Sequence, residues 1–121
     1  MGEAEIAEVL ALLAEAGAID DRSFARRYAE DKRELAGWGP ERIRAALERR
    51  GVSEEHVDAA LAGDPAEAQL ERAVRLISGR GVIPRSERER GRALGLLVRR
   101  GYPLELAYEA VRRAEGESEA A

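Results

Sequence analysis

The fold is decided by a stretch that the chain carries twice, ERIRAALERRGVSEEHVDAAL at residues 41–61 and GRALGLLVRRGYPLELAYEAV at residues 91–111. Seven of the 21 aligned positions are identical, and Gly51 of the first copy aligns with Gly101 of the second. Apolar residues recur every three to four positions on both sides of the glycine, which is the period of an amphipathic helix. Each copy therefore predicts a helix, a glycine turn and a second helix. Units of this size bury their apolar faces only by stacking on the next unit.

Helix signals extend from this repeat toward both ends of the chain. Upstream, apolar spacing predicts helices over residues 3–16 and 21–36, with Gly17 as the stop of the first and Asp20 as the N-cap of the second. Residues that begin helices precede the remaining predicted helices, namely Pro40, Ser53, Asp64 with Pro65, Ser86 with Glu89, and Pro103. The side chains predicted to face the interior are Phe24, Tyr28, Leu35, Ile43, Leu47, Val57, Ala60, Leu61, Leu70, Ala73, Val74, Ile77, Leu94, Leu97, Val98, Leu104, Ala107, Tyr108 and Val111.

The sequence thus predicts an all-α protein in which tandem three-helix repeats form an elongated, curved array of about seven helices. Residues 1–18 are predicted to be the last helix of an incomplete first repeat. Residues 19–63 would form a middle three-helix repeat, and residues 64–114 a C-terminal one. Residues 115–121 are predicted to be an acidic disordered tail.

Composition excludes several classes of protein. The chain of 121 residues has no Cys, so it has neither a disulfide framework nor a thiol nucleophile, and we expect a cytoplasmic protein. Its single histidine, His56, excludes a multi-histidine metal site and is expected at the surface. No apolar run approaches the roughly 20 residues of a membrane-spanning helix, and no phosphate loop or nucleophile–base pattern is present. We therefore predict a protein that is not an enzyme and needs no cofactor or metal.

Charge is distributed unevenly along a chain whose formal net charge is −4. Residues 1–21 hold six acids and no base, whereas residues 72–113 hold eleven Arg against four Glu. Such a segment predicts a surface for an acidic protein or a polyanion; the alternative is a solvated helix face. Trp38, which lies outside this segment, is either a partner-binding residue or an anchor of the core. The predicted partner-binding residues are Trp38, Arg49, Arg50, Arg72, Arg75, Arg80, Arg85, Arg88, Arg92, Arg99 and Arg100.

An ordered series of motifs carries a family resemblance. The series is IDDRSFARRY at 19–28, GWGP at 37–40, Ile43, Leu47, RGV at 50–52 and LLVRRGY at 96–102. It closely resembles the RecX family of recombinase regulators, which are built from tandem three-helix repeats. The resemblance implies a modulator that lies in the groove of the RecA filament on DNA, bridges its protomers, and inhibits ATP hydrolysis and strand exchange in recombination and repair. The family has no catalytic motif, and here only the final helix of its first repeat is present.

Two other functions remain open at this stage. One is a helical module that binds nucleic acid without RecA, although residues 54–61 lack the Arg, Asn or Gln that would read bases. The other is a structural or dimerisation domain in which the first helix pairs with a second copy. We expect RecA as the main partner, DNA as a weaker one, no membrane, and a monomer unless that helix dimerises.

Overall fold

The computed structural model describes residues 2–79 and 84–120, and these residues form six helices and no strand. The helices are α1 (Glu3–Ala36), α2 (Pro40–Arg49), α3 (Glu54–Ala62), α4 (Ala66–Ser78), α5 (Glu87–Arg99) and α6 (Leu104–Ala120). The predicted all-α repeat fold is confirmed. Within the described ranges, no helix is long and apolar enough to cross a membrane.

One continuous helix, α1, replaces the two helices predicted at the N-terminus, so the predicted stop at Gly17 and cap at Asp20 are wrong. A glycine inside a helix costs only about 1 kcal/mol relative to alanine, and the neighbouring Ala, Glu, Leu and Arg are strong helix formers. The helix ends instead at Gly37, whose φ of 65° is left-handed. This fusion reduces the predicted seven helices to six.

The last helix also extends beyond its predicted end. Its backbone is helical to Ala120, across most of the segment 115–121 that was predicted to be disordered. Residues 114–120 contain no proline and are mostly Ala and Glu, which favour helix, so no residue in them terminates α6.

The internal repeat is reproduced in the geometry of its turns. Gly51 (φ 81°) ends the turn after α2, and Gly101 (φ 98°) ends the equivalent turn after α5. In both turns the amide after the glycine donates to a leucine carbonyl at 3.1 Å, Val52 to Leu47 in one copy and Tyr102 to Leu97 in the other. The predicted repeat of helix, glycine turn and helix is therefore confirmed.

Two hydrophobic clusters lie along the array. The first contains Ala25, Ala29, Ile43, Leu47, Val52, Val57 and Ala60, with Tyr28, Trp38 and Leu61 packed against it. The second contains Leu70, Ala73, Val74, Ile77, Ala93, Leu97, Tyr102, Ala107, Ala110, Val111 and Ala114, with Leu76, Leu94 and Leu106 packed against it. Most of the predicted interior residues belong to these clusters.

Several burial predictions are wrong. Large side chains that were expected inside are exposed, namely Phe24, Leu35, Val98, Leu104 and Tyr108. In α6 the buried face carries the small residues Ala107, Ala110 and Ala114, which let α6 approach α4 closely. His56, expected at the surface, is only 8 % exposed because it shares the inward face of α3 with Val57.

The molecule exposes more surface than a compact protein of its mass. Its accessible area is 7956 Å², against about 6,400 Å² expected for a compact monomer of this size. Residues 3–16 of α1 contribute to this excess, since every side chain in that range is exposed. The array is therefore elongated, as predicted.

Candidate partner-binding surface

A buried polar network joins the two hydrophobic clusters. The guanidinium of Arg72 donates to both carboxylate oxygens of Asp64, at 3.0 and 2.8 Å, and its Nε donates to the Tyr102 hydroxyl at 2.9 Å. That hydroxyl donates in turn to the carbonyl of Gly37, at 2.8 Å. Arg33 Nε lies 3.4 Å from the same carboxylate. The network thus connects the end of α1, the start of α4 and the turn between α5 and α6.

Protonation in this network supports the hydrogen-bond directions. Burial raises the pKa of Tyr102 above its usual value, against the opposing effect of the Arg72 charge. Burial alone would lower the pKa of Arg72 and is the largest single effect, but the hydrogen bonds and charge interactions with Asp64 and Tyr102 together outweigh it, so the pKa is raised. At neutral pH the phenol is therefore protonated and donates to Gly37, while Arg72 remains a cation paired with Asp64.

Backbone contacts brace the same junction. The amide of Gly39 donates to the carbonyl of Arg100 at 2.7 Å, and the amide of Glu41 donates to the carbonyl of Gly101 at 2.9 Å. A Cβ added to Gly39 would lie 2.6 Å from the carbonyl carbon of Gly101, so the approach needs a residue without a side chain. The Arg100 guanidinium donates to the carbonyl of Ala36 at 2.7 Å. Together these contacts tie the end of α1 and the start of α2 to the turn after α5.

Trp38 stands in a cluster of aromatic rings and cations beside the first hydrophobic cluster. Its ring meets Tyr28 edge-on with centroids 6.4 Å apart, and Lys32 Nζ and Arg42 Cζ lie 4.7 and 4.2 Å from its centroid. The exposed Arg50 continues the cluster, with its Cζ 5.0 Å from the Tyr28 centroid. Trp38 is half-buried, so it packs on the first hydrophobic cluster and keeps part of its surface open to solvent.

Two clefts gather most of the remaining predicted site residues. One has a volume of about 660 Å³, and its described lining comprises Ile77, Arg88, Gly91, Arg92, Ala93, Leu96 and Arg99. The other has a volume of about 520 Å³ and is lined by Arg33, Glu34, Leu35, Ala36, Gly37, Arg72, Arg75, Leu76 and Arg100. We call the first cleft the α5 groove. Its exposed arginines are Arg88, Arg92 and Arg99, and its apolar lining residues are Ile77, Ala93 and Leu96.

The predicted site residues fall into different environments. Arg72 and Arg100 belong to the junction, where the Arg72 side chain is only 11 % exposed, so a partner cannot engage Arg72 without disrupting the network. The exposed ones are Arg49, Arg50, Arg75, Arg85, Arg88, Arg92 and Arg99. Arg80 lies outside the described residues.

Sequence reasoning missed the centre of the junction. Asp64 was interpreted as a helix cap, but Pro65 is the N-cap of α4 and the Asp64 carboxylate is buried instead. Tyr102 was not expected to be buried, yet it is fully buried. A usable signal existed, because Tyr102 occupies the repeat position of Val52, which is also buried.

The acidic side chains and the single histidine are spread out over the part of the chain that the structure describes. There, no three His, Cys, Asp or Glu residues are placed so that they could hold an ion. The exposed features of this surface are cationic and aromatic, which suits binding to an acidic partner.

Known proteins with similar sequences and folds identify the family. A family model described as "RecX, second three-helix domain" matches residues 20–61. The chain is 37 % identical over 118 residues to the Regulatory protein RecX of Thermus thermophilus, covering 98 % of this chain and 76 % of the relative. It is 34 % identical over 116 residues to the Regulatory protein RecX of Mycobacterium sp. strain JLS, covering 90 % and 63 %.

A solved structure supports the fold independently. The crystal structure of RecX from Lactobacillus salivarius superposes with a TM-score of 0.74 at 19 % identity, covering 94 % of this chain and 76 % of that one. The present chain therefore spans between 63 % and 76 % of the length of the relatives named here. The resemblance noted from the motifs is confirmed, and the chain belongs to the RecX family of regulatory proteins.

Proposed function

We propose that this chain binds the RecA recombinase filament and inhibits its ATP hydrolysis and strand exchange by holding neighbouring protomers in one arrangement. Membership of a family of regulatory proteins supports a binding role over a catalytic one. The observation that carries the mechanism is the braced junction, in which Arg72 links Asp64 to Tyr102. A flexible tether would join two protomers without restraining them, whereas a stiff body resists their relative movement.

The restraint follows from differential binding. A bound protein shifts a conformational equilibrium only by the difference between its affinities for the two states. If the array fits one spacing of protomers better by about 1.4 kcal/mol, the competing state becomes about tenfold rarer at each bridged pair. ATP turnover that needs both states would slow by a similar factor.

Two surfaces on different repeats would make the contacts. On one, the α5 groove offers Arg88, Arg92 and Arg99 to an acidic surface. On the other, Arg50 lies beside the Trp38 cluster, and Arg49 is exposed at the end of α2. Contacts of this kind would steer association through charge and weaken as salt rises, because exposed charges are screened over about 8 Å at physiological ionic strength.

The test is RecA ATP hydrolysis on single-stranded DNA during titration with this protein. We expect the rate to fall with dose and level off once the filament is saturated. A variant with Arg88→Glu, Arg92→Glu and Arg99→Glu should need a much higher concentration for the same effect. An unchanged rate at several-fold excess over RecA would refute the proposal.

A matched control separates a local effect from net charge. The variant with Arg22→Glu, Arg26→Glu and Arg27→Glu makes the same change in charge on the exposed side of α1. We expect it to inhibit nearly as well as the wild type. Equal losses in both triple variants would show that total charge alone governs binding.

The second candidate function is DNA binding in the absence of RecA, and the three exposed arginines of the α5 groove favour it. Neutralising three phosphates gives a slope of log K against log salt of only about −2 to −3, and correspondingly weak binding. If the chain binds DNA tightly without RecA, with a slope of log K against log salt steeper than this value, a nucleic-acid-binding module would be favoured over a RecA regulator.

A further inference from the structure

A group of apolar side chains on α5 and α6 is exposed outside both clefts. Val98, Leu104 and Tyr108 are between 46 % and 55 % exposed. Leu94, one turn before Val98 on α5, is partly exposed as well. None of the four lines either of the clefts described above. We call these four residues the α5–α6 patch.

The internal repeat shows that the four positions form one surface. In the upstream unit (residues 41–61), the equivalent positions carry Arg44, Glu48, Glu54 and Asp58. There the Arg44 guanidinium lies 2.7 Å from the Asp58 carboxylate and 3.8 Å from that of Glu48, and Glu54 precedes Asp58 by one turn of α3. Exposure also matches, since Arg44 and Leu94 are both partly exposed and the other three positions are exposed in both units. The same place on the fold therefore carries charged side chains in one unit and apolar ones in the other.

Stacking of helical repeats does not cover this face. The upstream unit has helices of the array before it and after it, α1 on one side and α4 to α6 on the other. Its residues Glu48, Glu54 and Asp58 nevertheless remain exposed. A face that stays open in the middle of the array is one that the stack leaves to solvent. Apolar side chains at the same place in the downstream unit (residues 91–111) therefore indicate contact with another molecule.

The surroundings of the patch favour a protein over nucleic acid as that molecule. Glu105 and Glu109 directly follow Leu104 and Tyr108 in α6, and their carboxylates would repel phosphates. Arg112, which could attract phosphate, instead pairs with Glu109 at 2.6 Å. An apolar centre that includes a tyrosine and is bordered by polar residues is the typical composition of a protein interface.

The size of the patch argues against a second copy of this chain. A tyrosine side chain carries about 200 Å² of surface and leucine and valine carry less, so three such side chains at half exposure present roughly 300 Å² at most. Each partner in a specific complex commonly buries about 800 Å². The patch can therefore be the centre of an interface, but it needs further contacts around it. The α5 groove adjoins it, because the groove residue Arg99 directly follows Val98.

We propose that the α5–α6 patch is the apolar anchor that holds the protein partner attracted by the arginines of the α5 groove. This inference rests on the proposed function, in which that partner is a RecA protomer of the filament. The two surfaces then have different roles. Exposed arginines speed the encounter, whereas burial of the patch slows dissociation. Salt weakens the first effect by screening, and it leaves the second nearly unchanged because apolar burial involves no charge.

The test is the kinetics of this chain on a RecA filament assembled on immobilised single-stranded DNA, with bare DNA as the reference. The patch variant (Val98→Gln, Leu104→Gln and Tyr108→Gln) keeps the net charge, and the fold accommodates polar side chains at the same positions of the upstream unit. We expect its dissociation rate constant to rise about tenfold or more at low and high salt alike, with the association rate constant within about twofold of the wild type. The triple arginine-to-glutamate variant of the α5 groove should instead associate more slowly. Far-UV circular dichroism confirms that both variants are folded.

A matched pair of single substitutions provides the control. Leu104→Gln lies in the patch and Leu35→Gln outside it, at a leucine that is 85 % exposed. Only Leu104→Gln should speed dissociation from the filament.

The outcomes separate this inference from the proposed function. If the wild type binds the filament and the patch variant dissociates at the same rate, the anchor is overturned and the proposed function stands. A wild type that does not bind the filament overturns both. If sedimentation velocity shows wild-type dimers that the patch variant cannot form, the occupant is a second copy and the inference is wrong. Loss of binding to bare DNA in the patch variant would equally contradict a protein occupant.

Discussion

Removal of the Tyr102 hydroxyl tests the junction at its most connected atom. In Tyr102→Phe the ring still fills its place in the cluster, but the Arg72 Nε loses an acceptor and the Gly37 carbonyl loses a donor. An unpaired buried polar group costs about 1–3 kcal/mol, and more when the partner is charged. We therefore expect the free energy of unfolding to fall by about 3 kcal/mol, a large part of the stability of a domain of this size.

The assay is urea unfolding followed by far-UV circular dichroism, with Tyr108→Phe as the control. Tyr108 is 47 % exposed, so the loss of its hydroxyl should change stability by less than about 0.5 kcal/mol. A fall of about 3 kcal/mol corresponds to roughly 12 °C in Tm for a chain of this length. If the two variants lose equal stability, the network does not brace the junction and the reasoning fails.

Further predictions concern pH and glycine. Burial raises the folded-state pKa of Tyr102 above its unfolded value. The stability that the Tyr102 hydroxyl contributes should therefore be full below about pH 10 and be lost as the pH rises further. Compared with its own stability at neutral pH, Tyr102→Phe should consequently begin to unfold at a higher alkaline pH than the wild type. Gly39→Ala should destabilise by at least about 2 kcal/mol, because its Cβ would meet backbone atoms of the opposing turn, whereas Gly63→Ala, with open space around it, should be within about 0.5 kcal/mol of the wild type in urea unfolding. Gly17→Ala should raise the helix signal in circular dichroism and stabilise α1 by about 1 kcal/mol, and an unchanged signal would show that the helix is interrupted there.

Local patterns predicted much of the fold because they have local physical causes. Pro40 begins α2 as predicted, and Ser86 caps α5 by accepting the Glu89 amide at 3.2 Å. Ile43 and Leu47 are fully buried as their spacing predicted. Where the pattern failed, tertiary packing decided the outcome. Helix spacing alone could not tell the alanine face of α6 from the face that carries Leu104, because both recur at helical intervals.

The candidate site was less predictable from sequence, since a run of arginines does not reveal which of them are engaged. Arg72 and Arg99 look alike in the sequence, yet Arg72 pairs with buried Asp64 while Arg99 remains exposed. The difference arises from residues far apart in the chain, as in the contact of Tyr102 with Gly37. Only the folded arrangement brings these groups together.

The central claim is that a stiff array restrains the RecA filament. Its most direct test is the residual ATPase rate once the protein saturates the filament, measured together with filament binding for the wild type and for Tyr102→Phe. The two proteins should bind to similar extents. The wild type should leave the lower residual rate, because a loosened junction restrains protomers less. Equal residual rates at equal occupancy, or a wild type that saturates the filament without slowing hydrolysis, would contradict this mechanism.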